Sequence, residues 1–286
     1  MVEEKESILA LATALAAARF AYETQASLVK LYVALDDAEK LLFMHKDTFS
    51  ARNDRFQQGC EELVLLSNSV SIQYMQDASE DDLRHCGDLL HRAEQHTRRS
   101  GYMMSLEDGY RTRRVELRLL CLNNLACYYK HIGKPLMGVG FLEKALEIQL
   151  QQQPVDESAM ALTHLNLTAV LSLMGRHEAA AKHAQTTIDI LHRVDIPDVN
   201  VLVSAYYNLA VEFEHLKDVD KVAAVCSSGL DVARHHALTV ETHEAVRLLD
   251  SIARSARGFK SMRSPRALSP RTGLRPPSPR TLRQRS

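Results

Sequence analysis

A segment of 42 residues occurs three times in this chain of 286 residues. The stretches 122–133, 164–175 and 206–217 align without gaps, and each is displaced by 42 residues from the one before. The stretches 142–148, 184–190 and 226–232 keep the same displacement. Self-similarity at a fixed period is the signature of a repeat architecture, in which each unit packs mainly against its neighbours.

Each repeat has the pattern of two helices. In the first unit, apolar residues at three- and four-residue steps place one stripe on the first helix, and Gly133 can end that helix. Small residues allow two helices to approach closely. Two recurrent positions, one per helix, are mostly small: Ala126, Thr168 and Ala210, and Gly138, Ala180 and Val222.

Glycine and proline placement agrees with helices. The chain has no glycine before Gly59 and no proline before Pro135, whereas five of its eight prolines follow Ser264. A turn-rich β domain is difficult to build without these residues. The sequence therefore predicts an all-α fold.

The recurring pattern of Asn-Leu-Ala, an aromatic residue, Gly, a small residue and Ala-Leu resembles the tetratricopeptide repeat (TPR) family. The 42-residue period and the Pro-Asp-Val linker at Pro197 resemble the long repeats of kinesin light chains. The resemblance implies a solenoid of helical hairpins, wound as a right-handed superhelix, whose first helices line a concave groove. Two features depart from the pattern: Lys217 replaces a turn glycine, and Gly229 stands where the first unit has Ala145, at a cost of about 1 kcal/mol in a helix.

The predicted organisation has four parts. Residues 1–118 form an irregular helical region, 119–236 the three repeats, 237–258 a capping helix and 259–286 a disordered tail. Within the first part, residues 54–76 and 79–98 are expected to form a hairpin with a capping box at Ser79. Residues 3–46 carry a heptad pattern, which fits either helices packed on the solenoid or a dimerising coiled coil.

The charge is divided between body and tail. Residues 1–250 carry 25 basic and 36 acidic side chains, whereas residues 251–286 carry ten basic side chains and no acidic one. The tail repeats Ser-Pro-Arg at Ser264, Ser269 and Ser278, which predicts phosphorylation by a proline-directed kinase. We expect the unmodified tail to bind a microtubule or another anionic surface, or the acidic body itself. Phe259 is the tail's single aromatic residue, which disfavours nucleic-acid binding.

No catalytic or metal-binding motif is complete. His177-Glu178 and His243-Glu244 each lack the second histidine of a zinc motif, and the five cysteines have no zinc spacing. We therefore expect no enzyme activity, no cofactor and no metal. The acidic N-terminus lacks the pattern of a signal peptide, and no membrane span is expected, so the predicted location is cytoplasmic, with a cytoskeletal or flagellar association suggested by analogy.

The resemblance places the first helices on the groove, and one residue type recurs there. Asn124, Asn166 and Asn208 are equivalent, and an amide can both donate to and accept from a peptide backbone. The alternative is that these amides bond within or between repeats. Lys130, His131 and His215 lie further along the same helices and would add positive charge to the predicted groove.

These observations predict a non-enzymatic scaffold or adaptor that holds an extended peptide of a protein partner in the groove. In the chaperone-binding members of the family, Lys or Arg in the third unit clamps a terminal carboxylate. Ser204 and Asn208 stand at those places, so no such clamp is expected. The alternative function is a nucleic-acid-associated protein or a regulatory subunit that acts through its basic, phosphorylatable tail.

Overall fold

A computed structural model describes residues 2–46, 54–76, 78–98, 108–240 and 243–263 of the chain. Within these ranges the chain forms eleven α-helices and no strand, and sequential helices pack in antiparallel pairs. The predicted all-α fold of helical hairpins is confirmed. In chain order the helices are α1 (Val2–Glu23), α2 (Leu28–Met44), α3 (Asp54–Met75), α4 (Glu80–His96), α5 (Asp108–His131), α6 (Pro135–Leu150), α7 (Glu157–Leu173), α8 (His177–Leu191), α9 (Val199–His215), α10 (Val219–His235) and α11 (Glu244–Arg263).

The three sequence repeats correspond to the hairpins α5/α6, α7/α8 and α9/α10. The small residues predicted to allow close approach lie near the turns of these hairpins, and Ala126, Thr168 and Ala210 are fully buried. A Cβ atom on Gly138 would lie 3.0 Å from the carbonyl oxygen of Ala126. The backbones of α5 and α6 are therefore closer here than two ordinary side chains would permit.

Local signals at the helix ends explain why each hairpin turns where it does. Asp156, Asp198 and Asp218 accept hydrogen bonds from backbone amides at the starts of α7, α9 and α10. The first two units end their first helices on glycines with φ values of +72° and +71°. Lys217, which stands at the same place in the third unit, adopts a φ of +59° in the left-handed region that favours glycine.

Two further hairpins, α1/α2 and α3/α4, precede the repeats. The predicted capping box at the start of α4 is present, since Ser79 and Asp82 each accept from the other's backbone. The heptad leucines of α2, among them Leu28, Leu35 and Leu42, belong to a buried core that they share with α1, α3 and α4. The heptad stripe therefore faces the chain's own core.

Helix α11 packs on α9 and α10 after the third repeat. Val246, Leu249 and Ala253 are buried, which is the apolar stripe that a terminal capping helix needs. Gly229 of α10 is a point of close approach, because a Cβ there would lie 2.6 Å from Cδ2 of Leu249 and 2.8 Å from Cβ of Tyr206. Gly229, which departs from the repeat pattern of the third unit, thus allows α9 and α11 to pack closely on α10. Most of the predicted tail, including Ser264, Ser269 and Ser278, lies outside the described residues.

Candidate peptide-binding face

The first helices of the repeats, α5, α7 and α9, lie side by side, with α5 touching α7 and α7 touching α9. Residues four, seven and eleven positions apart share one side of a helix. We call the side that carries the three predicted asparagines the first-helix face. It consists of Leu120, Asn124, Cys127 and His131 on α5; Leu162, Asn166, Ala169 and Leu173 on α7; and Ser204, Asn208, Val211 and His215 on α9.

Two of the three predicted amides make hydrogen bonds to neighbouring hairpins. Nδ2 of Asn124 donates to Oδ1 of Asn68 on α3, and Nδ2 of Asn166 donates to Oδ1 of Asn123 on α5, both at 2.8 Å. These side chains are half-buried. At Asn124 and Asn166 the recurrence of asparagine therefore serves contacts between neighbouring hairpins.

The third amide cannot make the equivalent contact to the preceding repeat. The residue that would correspond to Asn123 one repeat later is Leu165, which has no side-chain acceptor. Asn208 is half-buried, and the asparagine-to-asparagine contact of the first two amides has no counterpart at Leu165.

The asparagine contacts also show that α3 acts as an additional first helix. Asn68 accepts from Asn124 as Asn123 accepts from Asn166, so Asn68 of α3 is equivalent to Asn123 of α5. The two helices therefore align at an offset of 55 residues. This offset extends the first-helix face over Leu65, Ser69 and Ile72 of α3. A search at the 42-residue period does not find it, because the connection between α4 and α5 is longer than those between the later hairpins.

Exposed leucines flank the amide row. The exposed fractions of Leu120, Leu162 and Leu173 are 37%, 44% and 59%, although a leucine in a helix interior usually faces the core. Apolar residues outside the buried stripe are the signal by which sequence reasoning could have found this part of the face. Together with the amides they form a surface that can accept both a peptide backbone and apolar side chains.

The predicted basic residues lie at the carboxyl-terminal end of the face. His131 is exposed and Lys130 is half-buried. His215 is exposed and stacks on His177, with ring centroids 4.1 Å apart and planes inclined by 10°. Nδ1 of His177 is 2.8 Å from Oε2 of the buried Glu212, so the position of the His215 ring is set by an ordered neighbour.

Three of the cysteines are buried in the protein core. Burial raises the pKa of Cys60 and of Cys121 to about 12 and that of Cys86 to about 11, so these thiols are poor nucleophiles. The described residues contain no group of three or more His, Cys, Asp or Glu side chains that could hold a metal ion. In the same ranges, none of the helices has the length and apolarity that a membrane crossing requires.

No protein-family model matches the sequence, and no curated protein sequence is similar to it. Solved structures do match. The crystal structure of BtubC (BKLC) from P. vanneervenii is 15% identical, with a TM-score of 0.54 over 90% of this chain and 97% of that chain. The fold of this chain is a TPR-like helical repeat. The Rap protein complexed with Competence and Sporulation Factor is also 15% identical, with a TM-score of 0.49 over 91% of this chain and 77% of that chain.

Proposed function

We propose that this protein is a non-enzymatic adaptor that holds an extended peptide of a protein partner on the first-helix face. The observation that carries the proposal is the repetition of one surface on neighbouring helices. Amide groups recur in one row on α5, α7 and α9, and exposed leucines stand beside them on α5 and α7. Helical repeats in general provide such extended interaction surfaces.

The dimensions of the face suit a short peptide. Packed helices lie about 8–10 Å apart, and an extended chain advances about 3.3 Å per residue. A peptide that crosses α5, α7 and α9 would therefore meet a new helix about every third residue and span the amide row with about six residues. Side chains between these points would rest on the exposed leucines.

A peptide library displayed on phage, selected against the full-length protein, tests the proposal. Selected peptides are then measured by fluorescence polarisation against a face variant that combines Leu162→Glu, Leu173→Glu and Asn208→Ala. These positions are at least partly exposed, so the fold should survive. We expect binding to weaken at least about tenfold, because charge replaces the apolar contact surface.

The matched control changes two leucines away from the face. Leu136 and Leu150 of α6 are 70% and 67% exposed, so Leu136→Glu with Leu150→Glu adds the same charge elsewhere. We expect this variant to bind like the wild type. Selection of no peptide, or of peptides that bind both variants equally well, would exclude the proposed site.

The tail supports a separate part of the proposal, which is association with the cytoskeleton. Its basic character and three Ser-Pro-Arg motifs suit reversible binding to an anionic polymer. Co-sedimentation with microtubules is expected for the full chain and not for a chain that ends at residue 258. Phosphorylation of Ser264, Ser269 and Ser278 should reduce sedimentation, and equal sedimentation of both chains would refute this assignment.

A further inference from the structure

Helix α1 is apolar on both of its sides, although it lies at the end of the solenoid. The twelve residues 7–18 include no charged side chain. One side of the helix packs on α2 and α3, and Leu11, Leu15 and Ala18 are buried there. A helix that is apolar all round is normally buried all round. The opposite side of α1 is nevertheless exposed.

The exposed side of α1 carries one continuous stripe. Its members recur at three- and four-residue steps, so they share one side of the helix, about half a turn from the buried side. Large residues lie at the two ends, since Leu9 is 68% and Phe20 is 67% exposed, and small residues lie between them. The hydroxyl of Thr13 donates to the carbonyl oxygen of Leu9 at 2.7 Å, so the helix itself satisfies it. We call this set the α1 stripe: Leu9, Ala12, Thr13, Ala16, Ala17 and Phe20.

Helix α11, at the other end of the described solenoid, has a different surface. Its exposed side chains form the ion pairs of Glu244 with Arg247 and of Asp250 with Arg254. A polar outer surface is what keeps a terminal unit of a solenoid soluble. The α1 stripe has no charged member, and an exposed, continuous apolar patch marks a site of interaction.

An apolar groove of about 400 Å³ continues the stripe toward α3. Ala12 and Ala16 belong to both the stripe and the groove, and Gly59 of α3 also lines the groove. Small residues of this kind allow another helix to approach closely. Helices α1 and α3 run in the same direction, because Gly59 lies beside Leu11 and Glu62 pairs with Arg19.

We propose that the α1 stripe is a homodimer interface, in which it packs against the same stripe of a second copy of this chain with the two helices antiparallel. A two-fold interface must be complementary to itself, and the stripe has this property. Leu9 of one copy faces Phe20 of the other at both ends, and Thr13 faces Ala16 in the middle. The spacing of these four residues, in steps of four, three and four, is the one by which two helices interlock their side chains.

The charges around the stripe select the antiparallel orientation. Glu6 and Arg55 lie at its amino-terminal end. Arg19, Glu23 and Glu62 lie at its carboxyl-terminal end. Antiparallel packing brings Arg55 of one copy toward Glu23 and Glu62 of the other, and Glu6 toward Arg19. Parallel packing would instead place each charge beside its own copy, and like charges that meet at an interface are unfavourable.

This dimer is not the coiled coil considered for residues 3–46. The heptad positions in α1, Ala14 and Ala21, pack against the chain's own core on another side of the helix. The α1 stripe is about 16 Å long from Leu9 to Phe20, since each residue advances a helix by about 1.5 Å. An interface of this length belongs to the small class, so dimerisation should depend on protein concentration.

Sedimentation velocity of the full-length protein over a series of concentrations tests the proposal. The wild type should change from monomer to dimer as the concentration rises. The variant Thr13→Glu with Ala16→Glu places like charges opposite each other at the centre of the helix pair. Glutamate is a good helix former, so α1 should remain folded, which circular dichroism verifies. We expect the Kd of the dimer to rise at least about tenfold.

The matched control adds the same charge away from α1. Leu136→Glu with Leu150→Glu changes two exposed residues of α6 and should leave the Kd of the dimer within about twofold of the wild type. The variant of the first-helix face keeps every residue of the α1 stripe and should dimerise normally. The peptide-binding proposal and the dimer proposal can therefore fail independently.

Cysteine cross-linking tests the orientation. A mixture of the Leu9→Cys and Phe20→Cys proteins should form a disulfide between positions 9 and 20, identified by peptide mass spectrometry among the five native cysteines. Leu9→Cys alone should form none between its two copies of position 9. Antiparallel packing holds those positions about 16 Å apart, whereas a disulfide requires Cα atoms within about 7 Å.

Four results would overturn the assignment. A monomer at every concentration would remove the dimer, and unchanged self-association of the Thr13/Ala16 variant would place it on another surface. A disulfide between two copies of position 9 would make the helices parallel. Dimerisation only of a chain that ends at residue 258 would mean that the tail, rather than a second copy, covers the stripe in the full chain.

Discussion

Replacement of Gly229 by alanine tests how closely α9, α10 and α11 pack. In a helix interior, alanine is normally more stable than glycine by about 1 kcal/mol. At Gly229, however, the added Cβ would lie 2.6 Å from Cδ2 of Leu249 and 2.8 Å from Cβ of Tyr206. Leu249 is fully buried and the Cβ of Tyr206 is held by its own backbone, so neither atom can move away easily.

The expected change in the free energy of unfolding follows from two opposing effects. Overpacking of a well-packed core costs about 1–3 kcal/mol, and the helix preference of alanine returns about 1 kcal/mol. We therefore expect Gly229→Ala to lower the free energy of unfolding by about 1 kcal/mol. Gly140 in α6 provides the matched control, because a Cβ there meets no atom within 4 Å. Gly140→Ala should raise the free energy of unfolding by about 0.4–1 kcal/mol.

Thermal unfolding followed by far-ultraviolet circular dichroism distinguishes the two signs. We expect the Tm to fall by about 2–4 °C for Gly229→Ala and to rise by a similar or smaller amount for Gly140→Ala. If both variants raise the Tm, the close approach of α10 to α9 and α11 is wrong, and the capping helix packs more loosely than described.

Three further predictions follow from the described contacts. Asp198 accepts from the backbone amides of Asn200 and Val201 at the start of α9, so Asp198→Ala should cost about 1 kcal/mol in urea unfolding; an unchanged midpoint would contradict the cap. The Nδ1 atoms of His164 and His183 are 2.8 Å apart, and burial together with His183 lowers the pKa of His164 from 6.5 to about 4. Between pH 6.5 and pH 4 the unfolded chain therefore binds a proton at His164 that the folded chain does not. The Tm should fall as the pH drops through this range, and it should fall less in His183→Gln. Parallel curves of Tm against pH for the two proteins would refute the coupling. Burial raises the pKa of the Cys60, Cys86, Cys121 and Cys127 thiols, so a thiol reagent should label native protein slowly and all five cysteines after denaturation, and rapid labelling of the native protein would contradict that burial.

Much of the repeat region could be predicted from sequence because local patterns and packing agree there. Fully buried Ala126, Thr168 and Ala210 occupy equivalent places, and the period reports that equivalence directly. The helix at α3 was missed as a first helix because its relation to α5 depends on Asn68 and Asn124, which meet across a connection of different length. A fixed period cannot reveal a neighbour at another offset.

The sites were harder to predict than the fold for a related reason. Recurrence of asparagine indicates that each position has a similar environment. It does not indicate whether the amide forms a hydrogen bond with a ligand or with a neighbouring repeat. In Asn124 and Asn166 the amide nitrogen bonds to a neighbouring hairpin. The ion pairs of the buried Glu94 with Arg118 and Lys144 were not predicted, since these residues are distant in sequence and meet Glu94 only when α4, α5 and α6 pack.

The amide bonds between hairpins have a mechanical consequence. The bend of a solenoid is the sum of small rotations between adjacent units. Asn124 joins α5 to α3, and Asn166 joins α7 to α5, so these two bonds act at the joints where such rotations occur. A bound peptide that formed a hydrogen bond to either amide in place of the neighbouring hairpin would loosen one of these joints and alter the pitch of the superhelix. Peptide binding would then change the radius of gyration measured by small-angle X-ray scattering.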